Sequence, residues 1–368
     1  LGQFFELGIG TEENNQKAAK LYLRAANSGY GPAQAAIGRL YFSGKGVERN
    51  MLQARLYLEI SSEKGDAVSQ YLLAEILSSG IGISRDEVKA ADFYKQSADQ
   101  AYSPAQYKLG QIYAFGRGVK QDNKLALTYF RLAAEQGLPA AQVKMAKIYE
   151  NGEEVEANLS VAASWYERAA KQGVMEAQIW MGFAYKIGKV VKQDSSLSAE
   201  WFLTAAKQGD AISQYETGMA YESGKGLDLD ITKAMFWYEK AAEQNHIDSQ
   251  YRIGRSYMDG RGLAKNDKAS FKWLRMAADQ NHKQAASYLG DLLRTGRGTE
   301  IDIARAVSYY RRAANSGIME AQYQLAKIIS GPGASDADIT EAISLYEQAA
   351  KQGDGRSQLI LGIYFDEG

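Results

Sequence analysis

Cysteine is absent from the 368-residue chain, and histidine occurs only twice. The chain therefore has no disulfide, no thiolate metal site and no cysteine nucleophile. No apolar run approaches the ~20 residues that a membrane-spanning helix requires, so direct insertion into a membrane is not predicted. The formal net charge is -1 and no long run of one charge sign occurs, so nothing indicates nucleic acid or an anionic membrane surface as a partner.

A period of 36 residues runs through the whole sequence and is clearest in its glutamines. Ala286 alone breaks the series, which comprises Gln34, Gln70, Gln106, Gln142, Gln178, Gln214, Gln250, Gln322 and Gln358. Four residues after each position stands a glycine or alanine, and three residues further on usually a tyrosine, as in Gly110 and Tyr113. This spacing predicts a helix, named helix A here, whose small residues allow a neighbouring helix to pack closely.

A second helix, named helix B, is predicted after a turn that usually reads Gly-x-Gly. Its N-cap is predicted at an Asx residue that every repeat carries: Asn14, Asn50, Asp86, Asp122, Asn158, Asp194, Asp230, Asn266, Asp302 and Asp338. Helix B is amphipathic, with aromatic residues set among alanines, as in Ala162, Trp165 and Tyr166. It is predicted to end at residues that tolerate the left-handed conformation, or at their equivalents: Gly29, Gly65, Ala101, Gly137, Gly173, Gly209, Asn245, Asn281, Gly317 and Gly353.

Helix pairs of this kind bury their apolar faces only by stacking on neighbouring pairs. The sequence therefore predicts an all-α fold, a right-handed superhelical solenoid of about ten antiparallel helix pairs. Residues 1–368 are expected to form one solenoid that is cut within a repeat at both ends. Gly2, Phe5 and Gly8 fit a helix A already under way, and Gly368 fits the first glycine of a turn. A fragment of a longer protein is expected on this basis.

The unit AQYKLGQIYAFGRGVKQDNKLALTYFRLAAEQG, residues 105–137, is similar to a Sel1-like repeat, a relative of the tetratricopeptide repeat. Shared features are the Ala-Gln and Leu-Gly pairs, the tyrosine, the glycine turn, and the Ala-Ala pair before the last glycine. Departures are local, since Glu154, Val190 and Ala334 replace the second turn glycine. The resemblance implies a protein-interaction adaptor. It also favours a bacterial protein in the periplasm or secreted over one in the cytoplasm.

Motifs that carry chemistry are weak in this sequence. The Gly-Lys-Gly and Gly-Arg-Gly turns lie between predicted helices and lack the rest of a phosphate-binding loop. His246 and His282 occupy equivalent positions in consecutive repeats, too far apart to share a metal ion, and are expected to be solvated loop residues. No catalytic residue, metal site or cofactor is predicted, and an enzyme is the least favoured class.

Helix A also carries a variable stripe of residues, spaced i, i+3 and i+7 on one helix face. By analogy with tetratricopeptide solenoids, this face is expected to line a concave wall. Trp180, Phe183 and Ile187 form the wholly apolar triplet of the stripe, with Phe115, Met219, Lys144, Lys147, Arg252 and Arg255 around it. Aromatic side chains with cations at their edges are typical of a groove that holds an amphipathic or acidic peptide.

Two interpretations of this triplet stay open at the level of sequence. It is either a binding surface, or core covered by the neighbouring turns NGEEVEAN and GKVVKQD, because large apolar residues are more often core than site. For the whole chain, a non-catalytic scaffold that binds a protein or extended peptide is favoured over a structural or assembly component of the cell envelope. The envelope alternative includes association with polysaccharide, but the 24 tyrosines do not support carbohydrate binding, since many of them fall at core positions.

Overall fold

The computed structural model describes residues 1–81 and 84–367, and the regular secondary structure of this part is entirely α-helical. Residues 82, 83 and 368 lie outside it, and with them the turn glycine predicted at position 368. The helices are α1 (Gly2–Leu7), α2 (Asn15–Asn27), α3 (Gly31–Ser43), α4 (Met51–Glu63), α5 (Ala67–Ser79), α6 (Glu87–Asp99), α7 (Ser103–Phe115), α8 (Asn123–Glu135), α9 (Pro139–Asn151), α10 (Leu159–Lys171), α11 (Met175–Ile187), α12 (Ser195–Lys207), α13 (Ala211–Ser223), α14 (Ile231–Glu243), α15 (Ile247–Asp259), α16 (Asp267–Asp279), α17 (Lys283–Thr295), α18 (Ile303–Asn315), α19 (Met319–Ile329), α20 (Asp336–Lys351) and α21 (Gly355–Glu367). Odd numbers are helix A and even numbers helix B, so the predicted alternation is confirmed.

The chain forms two compact units, residues 1–177 and 178–368. Within each unit a helix A packs against the helix B that follows it, and this helix B packs against the next helix A. Each unit is therefore built as an α-solenoid of helix pairs. None of the helices in the described residues is both long enough and apolar enough to cross a membrane.

The Asx residues predicted as N-caps of helix B are confirmed in nine helices. Asp122, for example, accepts a hydrogen bond from the backbone N–H of Leu125 at 2.9 Å. The tenth prediction is wrong, because Asp338 is the third residue of α20. Ser335 caps this helix instead, and Ser335 and Asp338 each accept a hydrogen bond from the other's backbone N–H. A serine one turn earlier completes a capping box, so the helix begins before the predicted position.

Positive φ angles occur at all ten positions where helix B was predicted to end, including Ala101 at 62°. The second glycine of the turn before helix B has a further reason to be glycine. A Cβ on Gly118, which has φ of 70°, would overlap the backbone carbonyl of Glu87 at the start of α6. The same close contact with the first residues of the preceding helix B occurs at Gly46, Gly226, Gly262 and Gly298. Glu154 holds the equivalent position with φ of 58° and accepts a hydrogen bond from the Asn123 side chain at 2.9 Å.

The periodic glutamines other than the exposed Gln358 are buried, and most of them link three helices. The side-chain amide of Gln106 donates to the carbonyl of Ala98 in the preceding helix B at 3.3 Å. Its oxygen accepts from the side chain of Gln136, at the end of its own helix B, at 2.6 Å. Burial of these polar groups is favourable because each is paired. The same pair of contacts recurs at Gln70, Gln142, Gln214, Gln250 and Gln322.

Arg312 explains why the series can be broken at position 286. A glutamine there would donate to the carbonyl of Ala278, eight residues earlier. The guanidinium of Arg312 donates to that carbonyl instead, at 2.6 Å, and to the side chain of Asn281 at 3.1 Å. The carbonyl at the end of α16 therefore keeps its partner while Ala286 fills the buried space with a methyl group.

Large side chains of helix B pack on the small residues of helix A. A Cβ added to Gly110 would lie 2.7 Å from the ring of Phe130, and one added to Gly218 would lie 2.6 Å from the ring of Tyr238. The glycines therefore set the distance between the two helices of a repeat, as their spacing in the sequence predicts. The aromatic residues of helix B that pack on these glycines form the core of each unit together with the helix-B alanines.

Candidate functional site

The triplet on α11 changes from packed to exposed along the helix. Trp180 and Phe183 are half-buried, whereas Ile187 is 64% exposed. The Phe183 ring meets the buried ring of Phe202 edge-on, with 4.9 Å between centroids. Phe183 thus takes part in packing within the second unit, while Ile187 presents apolar surface to solvent. Beside them Lys186 pairs with Glu216 at 2.6 Å.

The predicted flanking residues of the second unit are occupied by contacts within that unit. Met219 is half-buried against the cluster that contains Tyr238. Arg252 pairs with Glu222 at 2.6 Å and lies over the ring of Tyr238.

Arg255 is held in a similar way. It pairs with Asp259 at 2.9 Å and donates to the hydroxyl of Tyr288 at 2.6 Å. Both guanidinium groups therefore already have a carboxylate partner within the unit, with which an acidic partner would compete.

In the first unit, Phe115 and Lys144 line the same pocket, whereas Lys147 is not among its lining residues and pairs with Glu176 at 2.6 Å. Phe115 is the last residue of α7 and is 69% exposed. Its exposed ring lies beside a pocket whose floor includes a helix-B aromatic, Phe130, that is 3% exposed.

The pocket, called the Phe115 pocket from here on, has a volume of about 370 Å³. Three helices and two turns build it, and its lining consists of Ala114, Phe115, Gln121, Asn123, Ala126, Leu127, Phe130, Lys144, Ile148, Glu153 and Glu154. Six of these residues are apolar and belong to α7, α8 and α9, and three of the five polar ones come from the turns. A concave apolar surface with a few polar groups is the usual form of a binding pocket.

The rim of the Phe115 pocket is acidic on the side of the turn after α9. Glu153 pairs with Lys144 at 3.0 Å and accepts from the side chain of Asn151 at 3.0 Å. Hydrogen bonds from Asn151 and Lys144 hold the pKa of Glu153 below its ordinary value. The carboxylate therefore stays ionised, and the Lys144 ammonium is held 5.8 Å from the centroid of the Phe130 ring.

Phe130, Ile148, Glu153 and Glu154 are site residues that the sequence reasoning did not select. The first two occupy core positions of the repeat, so the periodicity marks them as packing. A signal for the others was present, because the turn NGEEVEAN departs from Gly-x-Gly and carries two adjacent glutamates. The structure places these glutamates in the rim of the Phe115 pocket.

The histidines are not solvated loop residues, and that prediction is wrong. His246 and His282 are half-buried N-caps of α15 and α17. Nδ1 of His282 accepts the backbone N–H of Ala285 at 3.1 Å. Each ring packs on a tyrosine ring, with centroid distances of 4.6 Å to Tyr215 and 4.4 Å to Tyr251. Burial lowers the pKa of both histidines, so the neutral form that caps the helix is favoured.

The family model of the Sel1 repeat matches almost the whole chain. The matched segments are residues 1–30, 31–66, 67–102, 103–138, 139–174, 176–210, 211–246, 247–282, 283–318 and 320–354. Their boundaries coincide closely with the helix pairs, each segment beginning with a helix A and ending after a helix B.

Two solved structures resemble the chain along most of its length. One is a protective antigen of uropathogenic Escherichia coli, with 28% identity over 100% of this chain and 87% of that chain, and a TM-score of 0.71. The other is a Sel1 repeat protein from Oxalobacter formigenes, with 25% identity over 84% of this chain and 89% of that chain, and a TM-score of 0.53. No curated protein sequence matches the chain. Sel1-repeat proteins are generally non-catalytic scaffolds for protein interaction, and the chain belongs to this family.

Proposed function

We propose that the chain is a scaffold that binds a partner protein, or an extended segment of one, along its helix-A surface without a catalytic step of its own. The observation that carries the proposal is the exposed Phe115 at the edge of an apolar pocket. Aromatic residues that combine large area with little conformational freedom contribute much of the binding energy in protein interfaces. Leaving such a ring in water is unfavourable unless a partner covers it.

The size and composition of the Phe115 pocket suit one large apolar side chain of a partner. Its volume of about 370 Å³ lies near the lower end of pockets that hold small ligands. Phe130 and Ile148 offer apolar contact, while Gln121 and Asn123 offer amide groups that can bond a peptide backbone. This combination supports a side chain inserted from an extended segment more than it supports a free polar metabolite.

The triplet on α11 is proposed as a second contact surface of the scaffold. Ile187 supports this role through its exposure, and Trp180 and Phe183 would contribute only the parts of their rings that are not packed. In this proposal, the neighbouring residues Met219, Arg252 and Arg255 position this surface. Lys144 and Lys147 are proposed to have the same positioning role in the first unit.

Replacement of Phe115 by alanine tests the proposal directly. Full-length chain carrying Phe115→Ala is used as bait in extracts of the source cell, beside wild type and Phe236→Ala. Phe236 is a suitable control because it is also an exposed phenylalanine, 52% exposed, but lies on α14, a helix B. We expect a discrete partner to be retained by wild type and Phe236→Ala and lost by Phe115→Ala, with little change in thermal melting.

The purified partner then gives the magnitude of the effect. A loss of about 2 kcal/mol or more in binding free energy on Phe115→Ala is expected for a central aromatic contact. Equal binding by all three proteins would contradict the proposed role of Phe115. A collapse of thermal stability in Phe115→Ala would instead assign the ring to packing.

A further inference from the structure

A second pocket lies beside Phe115 and differs from the first in charge. It has a volume of about 120 Å³ and is formed by α5, α6 and α7 with the turns after α5 and α7. Its lining consists of Ser78, Arg85, Glu87, Ala90, Tyr94, Lys108, Gln111, Ile112 and Arg117. Three cations and one carboxylate therefore line it, and it is called the cationic pocket from here on.

Internal ion pairs do not cancel the charge of the cationic pocket. Arg85 pairs with Glu87, and Lys108 pairs with Glu75 at 3.1 Å. Glu75 does not line the pocket, yet counting it with Glu87 still leaves three cations against two carboxylates. Arg117 is the cation that remains, and the contact of its side chain in the described part of the chain is with an aromatic ring.

That ring is Phe115, which joins the two pockets. The Arg117 guanidinium lies over it at 5.3 Å from the ring centroid. A cation on an exposed aromatic face is well placed for a carboxylate, since the ring holds the guanidinium without satisfying its hydrogen-bond donors.

We propose that these pockets form one bipartite site for an extended acidic segment of a partner protein, a refinement that rests on the proposed scaffold function. A large apolar side chain enters the Phe115 pocket, and an aspartate or glutamate of the same segment enters the cationic pocket and pairs with Arg117. The two partner residues lie within about three positions of each other, because the Arg117 guanidinium is 5.3 Å from the centroid of the Phe115 ring and an extended chain advances about 3.3 Å per residue.

The acidic rim gives the site a direction. Lys144 pairs with Glu153 in the lining of the Phe115 pocket, which leaves the charge of Glu154, whereas Arg85, Lys108 and Arg117 line the cationic pocket. A second acidic residue on the Glu154 side of the inserted apolar residue would meet like charge. The partner segment is therefore acidic on one side of its apolar residue and neutral or basic on the other.

A displayed library of random linear twelve-residue peptides, selected on the full-length chain and counter-selected on Phe115→Ala, tests this inference. We expect enriched peptides to share a large apolar residue with aspartate or glutamate within three positions on one side. A synthetic peptide of the enriched sequence is then titrated against wild type, Arg117→Gln and Arg261→Gln. Arg261 is the control, since it occupies the equivalent turn position 144 residues later and its side chain is 64% exposed.

The expected loss is about tenfold in affinity for Arg117→Gln, typical of one charge-assisted hydrogen-bonded pair, and less than about twofold for Arg261→Gln. Replacing the aspartate or glutamate of the peptide by asparagine or glutamine should lower its affinity for wild type by the same factor. It should not lower its affinity for Arg117→Gln any further. Enriched peptides that need Phe115 but carry no acidic residue would overturn the bipartite site and leave the scaffold function standing. A synthetic peptide that binds Phe115→Ala as tightly as wild type on titration would overturn both the bipartite site and the proposed role of Phe115 in the scaffold.

Discussion

Exposure separates the apolar side chains of helix A into those that pack and those available to a partner. Phe183 packs edge-on against the ring of Phe202, whereas Ile187 and Phe115 expose 64% and 69% of their surface. The sequence groups Phe183 with Ile187 because they share a helix face. Burial differs between them because only Phe183 reaches the ring that fills the space above Gly182.

Alanine substitution distinguishes these two roles. Phe183→Ala should lower the free energy of unfolding by roughly 1–3 kcal/mol, less than a fully buried phenylalanine because the ring is half-buried. Ile187→Ala should change it by no more than about 0.5 kcal/mol. Urea unfolding followed by circular dichroism measures both. Equal losses would show that exposure is a poor guide to packing on α11.

Two single residues, both histidines, make the stability of the second unit depend on pH. Burial lowers the pKa of His246 and His282 from 6.5, although Asp248 lies 3.3 Å from Nε2 of His282 and opposes the shift. The unfolded chain therefore binds protons that the folded unit does not. Stability is fully present above pH 6.5 and is lost as the pH falls through the lowered folded pKa values.

A double variant with His246→Asn and His282→Asn isolates this contribution. Asparagine can cap the same helices but does not titrate, as the Asx caps of helix B indicate. We expect the melting temperature of wild type to fall more than that of the variant between pH 7 and pH 5. The carboxylates titrate in both proteins, so the difference between their falls in melting temperature reports on the histidines. Parallel pH profiles would contradict the assignment.

At the scale of helices and turns, the close contact of a Gly-x-Gly turn with the preceding helix B fixes the stacking of repeats where the structure describes it. Gly118 meets the carbonyl of Glu87, and Gly298 meets that of Asp267 in the same way. The first unit and the second thus use the same contact in separate places. Side-chain volume at the second glycine therefore acts on the stacking of repeats as well as on local backbone conformation.

Gly118→Ala tests this contact against Gly137→Ala. Both glycines have positive φ, 70° and 92°, but a Cβ on Gly137 meets nothing within 4 Å. Gly137→Ala should cost about 1–2 kcal/mol for the left-handed conformation alone. Gly118→Ala should cost about 1–3 kcal/mol more, because the methyl group forces the turn away from α6. Similar unfolding free energies for the two variants would mean that the contact does not hold the repeats.

At the scale of the whole molecule, the periodic part of the sequence predicts the periodic part of the structure. Caps, helix ends and small residues recur every 36 residues, and each recurrence strengthens the prediction. The N-cap prediction fails at Asp338 because Ser335 caps the helix instead. The Phe115 pocket escapes prediction for another reason: Phe130 and Ile148 sit at ordinary core positions, and what differs is the exposed ring beside them and the turn at Glu154. Sequence periodicity therefore predicts the features that all repeats share, whereas a binding site depends on features of one or two repeats.

The most direct test of the scaffold account replaces Phe115 in the living source cell with a photoreactive benzophenone analogue of phenylalanine. The same replacement at Phe236 serves as the control, since both side chains are exposed. Illumination should cross-link position 115 to a discrete protein, and the yield from position 236 should stay at background. Identical cross-linking patterns at the two positions, or none at position 115, would contradict a partner bound at the Phe115 pocket.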